Sequence, residues 1–214
     1  MKARKVYEFV NPRKRNFDIE VGPIKELKEL FLDWIHENHL EDHPIYHMQK
    51  YSFEKIGDEY WVIFDQDVLL MHRYIKNIPF NIKSTGIFSL KYSRIDSGEL
   101  DHNIEGLKII LQSTNVETIS GGLFSYKNPQ ISTERNIVSG ILDAAKNREI
   151  KNITGKVHID VAAIFKDSTL YSFPKDAYVG GILYVGGTPF GHGITDEKME
   201  QYKWVKDWNF IGIY

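Results

Sequence analysis

Apolar positions along the chain follow two periods. From Ile24 the residues Ile24, Leu27, Leu30, Phe31, Trp34 and Ile35 recur three and four apart, which is the stripe of an amphipathic helix. Pro23 suits a first turn and Pro44 biases the residue before it out of helical geometry, so the spacing predicts a helix over about 23–41. A second helix is predicted over about 133–148. There Ser132, Thr133 and Glu134 offer a cap and a first-turn carboxylate ahead of Ile137, Val138, Ile141, Leu142 and Ala145.

Elsewhere the period shortens to two, the mark of a half-buried strand. Strands are predicted at 5–10, 17–21, 59–64, 68–75, 86–92, 156–165, 178–185 and 204–214. Residues 107–112 fit either strand or helix. Turn-type clusters at Asp65-Gln66-Asp67, 77–85 and Asp96-Ser97-Gly98 separate the strands. In 156–165 the alternation puts His158 and Asp160 on one side and Val157, Ile159 and Val161 on the other. Long alternating segments without regular helix–strand alternation predict an α+β fold, mainly antiparallel sheet with two principal helices. No internal repeat and no low-complexity tract stands out. The expectation is one domain over 1–214 with a soft seam near 128–132.

Composition narrows the chemistry. Among 214 residues there is no cysteine, which excludes disulfides, thiolate zinc sites, iron–sulfur clusters and thiol nucleophiles. No apolar run approaches the roughly 18 residues of a membrane span, so the expectation is a cytoplasmic chain without membrane association. A net charge of −2 gives no global field for nucleic acid. Only the basic N-terminal loop, with Lys2, Arg4, Lys5, Arg13, Lys14 and Arg15 beside Tyr7, Phe9 and Phe17, offers a local patch for it.

Two segments carry candidate chemistry. The stretch 180–193 holds six of the 16 glycines and places His192 between Gly191 and Gly193. Backbone N–H groups at Gly186, Gly187, Gly191 and Gly193 suit a ligand-binding nest, with His192 as acid–base residue assisted by Asp196 and His158. Neither the dinucleotide nor the phosphate-loop glycine signature is present. The second segment contains His36, His39, His43 and His47. On a continuous helix, His39 and His43 would lie one turn apart and could hold a divalent metal, although the order of the helical zinc motifs is not met. No cofactor is implied.

The C-terminal aromatics Tyr202, Trp204, Trp208, Phe210 and Tyr214 add a candidate recognition surface. The sequence therefore supports a binding or interaction protein. It would engage a protein or small ligand through a C-terminal aromatic sheet face, with Trp204 and Trp208, and the glycine-rich loop. The alternative is a thiol-independent hydrolase, phosphodiesterase- or nuclease-like, centred on His192.

Overall fold

The computed structural model describes residues 22–47, 50–128 and 139–211. It opens with α1 (Pro23–Glu37) and the single turn α2 (Pro44–His47). A hairpin of β1 (Tyr51–Ile56) and β2 (Glu59–Phe64) follows, and β2 continues into β3 (Val68–Leu69) and β4 (Tyr74–Ile75). The next turn of chain contains β5 (Asn81–Ser84), β6 (Ile87–Ser89), β7 (Arg94–Ile95) and β8 (Glu99–Leu100). Then come β9 (Ile104–Glu105), β10 (Lys108–Ile110) and β11 (Thr118–Ile119), followed by β12 (Leu123–Ser125), β13 (Ile141–Asp143) and β14 (Asn152–Ile153). The chain closes with β15 (Val157–Ile159), β16 (Ala162–Ile164), β17 (Tyr178–Tyr184), the short helices α3 (Pro189–His192) and α4 (Asp196–Met199), and β18 (Val205–Asn209).

These strands wind into a parallel β-solenoid of about seven turns. Trp61 pairs with Asn81, Ile82 with Ile104, Ile104 with Leu123 and His158 with Tyr178, so one turn takes about 20 residues. The step from Leu123 to Val157 is longer because the chain between β12 and β13 carries an insertion. The first face runs β2-β5-β9-β12-β15-β17 and the second β3-β6-β10-β13-β16-β17. Shorter ladders, β4-β7 and β8-β11-β14, make the third and the fourth. Only β1 and β2 pair antiparallel among the described residues.

Each turn repeats one corner. His72, Tyr92, Ser113, Lys146, Asp167 and Gly187 all have φ between 53° and 71°. Just before each corner an apolar residue points inward: Leu70, Leu90, Leu111, Ala144, Phe165 and Val185 are all buried. Just after it, Ser93, Thr114, Asn147, Ser168 and Thr188 are small or polar and buried. The side chains of Ser93, Thr114, Asn147 and Thr188 satisfy backbone carbonyls that a tight turn leaves without strand partners, whereas Ser168 Oγ is buried without a hydrogen bond among the described residues. Asn147 Nδ2 donates to Leu111 O at 3.1 Å and Thr188 Oγ1 to Val185 O at 2.7 Å.

Both ends are covered, as a solenoid requires to shield its terminal turns. At the N-terminal end α1 turns Leu27, Phe31, Trp34 and Ile35 inward. The Phe31 ring centre lies 4.9 Å from Tyr51, 5.7 Å from Phe80 and 5.9 Å from Phe64. At the other end Phe190, Tyr202 and Trp208 pack on one another at 5.6–6.3 Å.

The expected α+β, antiparallel architecture is thus corrected to a parallel solenoid with little helix. Period-two alternation is the same in both, and what differs is the partner. The segment 156–165 is two strands, with Val157–Ile159 and Ala162–Ile164 on different faces on either side of a corner at Asp160-Val161. The helix expected over 133–148 is also corrected: Ile141–Asp143 is strand and Asn147 sits in a corner. Its first half, the strands at 5–10 and 17–21, the basic N-terminal loop and the seam residues 129–132 lie outside the described residues. The first helix ends at Glu37 rather than 41. There Asn38 is buried, donates to Trp34 O at 2.8 Å and accepts from Lys76 N at 2.7 Å, a tertiary tether that stops the helix. Pro44 does not end that helix but starts α2.

Candidate binding face

Winding aligns residues about 20 apart into columns. On the outward side of the first face Lys83, Glu105, Phe124, His158 and Tyr178 stand in successive register positions, about 4.8 Å from strand to strand. Val179 is in register with Val205, so the column continues toward Trp204. This strip combines charge at one end with rings at the other.

The rings converge on His158. Its centre lies 4.4 Å from Tyr178 in a stacked arrangement and 5.0 Å from Tyr126. Its Nε2 meets Asp160 Oδ1 at 3.1 Å, while Asp160 Oδ2 accepts from the Lys127 backbone N–H at 2.8 Å. Aspartate and rings together hold the imidazole in one orientation. Glu105 pairs with Lys83 at 2.7 Å. The Tyr126 hydroxyl titrates above the usual tyrosine range, because of burial first and then the negative charges of Glu105 and Asp160. Even so, Tyr126 is 41%, Tyr178 37% and Trp204 61% exposed. A cavity of about 500 Å³ adjoins the strip at Phe124 and is lined also by Asp58, Glu59, Asn103 and Lys156.

The residues expected to share acid–base work are spread over separate elements. His158 is in β15, His192 ends α3 with an exposed side chain, and Asp196 opens α4. Among the described residues no hydrogen bond, ion pair or ring contact joins any two of the three. His158 is paired instead with Asp160.

The glycine-rich segment occupies the last turn of the solenoid. Gly180 and Gly181 let β17 cross from the first face to the second, and a Cβ at Gly181 would overlap the Val161 carbonyl. Gly187 fills the recurring left-handed corner, preceded by Gly186. Gly191 N–H donates to Thr188 Oγ1 at 2.8 Å, and Gly193 closes α3 by donating to Pro189 and Phe190 carbonyls. Trp208 lies between Phe190 and Phe210, with centres at 6.3 and 6.0 Å. Trp204 is the C-terminal tryptophan that faces outward.

His39 and His43 are not on a common helix. His39 follows the end of α1 with φ 52°, and His43 Nδ1 accepts from Ile45 N at 3.2 Å. Burial holds the His43 imidazole below its usual range, and the Arg73 guanidinium adds to this. A nearby cation works against a metal ion as it does against a proton. Among the described residues no group of three or more His, Asp or Glu side chains is arranged to hold a metal.

Sequence reasoning passed over Glu105, Phe124, Tyr126 and Tyr178. The available signal was the repeat of about 20 residues, which superimposes 83, 105 and 124, and again 158 and 178, with the insertion between β12 and β13 separating the two groups. Fold and site define the class: an end-capped parallel β-solenoid that presents an aromatic and acidic strip on one face. No family model matches the chain, and no curated protein or solved structure matches it either. Among the described residues no helix is long and apolar enough to cross a membrane.

Proposed function

We propose that the chain is an interaction scaffold acting in the cytoplasm, and that its first face engages a protein partner through an exposed lysine or arginine. The observation that carries this is the packing of Tyr126 and Tyr178 against His158 beside Asp160 on an outward sheet face. Stacked rings next to carboxylates suit a cationic side chain, which gains both ring-face attraction and charge pairing. A preformed platform also loses little conformational freedom on binding. The interaction surface expected near the C-terminus thereby moves to a column on which Trp204 is the C-terminal member.

The test compares the wild-type chain with Tyr126→Ser/Tyr178→Ser and Asp160→Asn variants in capture experiments, followed by cross-linking through Lys83, Lys127 and Lys156 around the strip. The expected result is a partner that cross-links to these lysines through a segment containing Lys or Arg and is lost by both folded variants. A partner retained by both variants, or one that cross-links only elsewhere, would overturn the assignment.

A further inference from the structure

A second concave site lies at the C-terminal cap. A cavity of about 330 Å³ opens there among Tyr171, Lys175, Phe190, Lys198, Gln201 and Tyr202. Its floor is aromatic: Phe190 and Tyr202 pack edge to face at 5.7 Å, and Tyr202 is buried with its hydroxyl donating to Phe173 O at 3.3 Å. The floor is therefore fixed before any ligand arrives.

The rim carries positive charge without a matching carboxylate. Lys175 Nζ donates to Gln201 Oε1 at 2.6 Å and Lys198 Nζ to the Gly193 carbonyl at 2.7 Å. Both acceptors are neutral, and an ammonium has three donors. Neither lysine forms an ion pair among the described residues. The acids of the same region, Asp196, Glu197 and Glu200, do not line the cavity.

The geometry points to a binding site for a small planar anion, an aromatic ring bearing a carboxylate, sulfonate or phosphate. The ring would lie on Phe190 and Tyr202, and the acid group would take the free donors of Lys175 and Lys198. The volume is at the small end of the range for ligand pockets, about 300–1,000 Å³. This site shares no residue with the first-face strip and does not depend on its function.

The probe is 1-anilinonaphthalene-8-sulfonate, titrated by fluorescence into the full-length protein, with neutral N-phenyl-1-naphthylamine as the uncharged comparison. One sulfonate probe is expected per chain. Lys175→Gln/Lys198→Gln should weaken it about tenfold, about 1.4 kcal/mol, and leave the neutral probe unchanged. Tyr171→Ser should weaken both probes, and Tyr126→Ser/Tyr178→Ser neither. Circular dichroism identical to wild type establishes that each variant is folded. Equal sulfonate affinity in the double lysine variant, or no saturable binding to the wild type, would overturn the site.

Discussion

His43 shows how burial converts a titration into stability. Its imidazole is held below the ordinary histidine range by burial and by Arg73, so the folded chain favours the neutral ring. The stabilisation is therefore present above the ordinary value and is lost as pH falls through the depressed folded value. The melting temperature should drop as pH falls below about 6.5, the ordinary histidine value, and His43→Gln should flatten that part of the profile. Equal pH slopes in the two proteins would refute the assignment. At Gly181 the constraint is steric, since a Cβ would meet the Val161 carbonyl. Gly181→Ala should cost about 1–3 kcal/mol in denaturant unfolding, because two backbones, not a flexible side chain, must separate. Gly187→Ala adds the penalty of a left-handed residue at φ 71°, about 1 kcal/mol or more. The glycine density of 180–193 thus has a backbone cause at the positions that first suggested a site.

Elements in a solenoid are stabilised by their neighbours. The α1 helix is amphipathic, as its spacing predicts, and its apolar stripe serves as the lid of the first turn. Phe31 is wholly buried and meets rings from β1, β2 and the chain before β5. Phe31→Ala should destabilise by about 3–5 kcal/mol. Hydrogen exchange should show the loss first in α1 and β1–β2, while β13–β17 keep their protection, since each turn contacts mainly the next. Uniform loss across all turns would indicate that the molecule unfolds as one unit. Of the hairpin β1–β2, only β2 was legible, as the apolar run Tyr60–Phe64; β1 was not among the predicted strands. The break of 156–165 into β15 and β16 was not legible, because a corner between Asp160 and Val161 leaves no Gly or Pro to mark it.

At the scale of the molecule, the winding makes surfaces from residues distant in sequence. The first-face strip unites Lys83 with Tyr178 across the turns between them. The aromatic cap of Phe190, Tyr202 and Trp208 shields the last turn, so truncation after Thr188 should uncover buried apolar side chains and open strand edges. Light scattering should then report concentration-dependent association that the full chain lacks. A monodisperse truncated monomer would contradict a capping role.

By itself the sequence determined the local features: the apolar stripe of α1, the period-two inside–outside alternation of the strands, the lack of any cysteine chemistry and the outward placement of His158 beside Asp160. These depend on neighbours within a few residues, where backbone geometry fixes which side chains share a face. Only the tertiary structure decided that the strands pair parallel at steps of about 20 residues, that Gly187 repeats the corner of Asp167, and that Tyr126 and Tyr178 close on His158. The physical reason is that alternation specifies a buried face but not its partner strand. The left-handed position of the repeating corner takes His, Tyr, Ser, Lys, Asp and Gly alike, so the repeat is carried only by the buried apolar residue before it and the buried Ser, Thr or Asn after it.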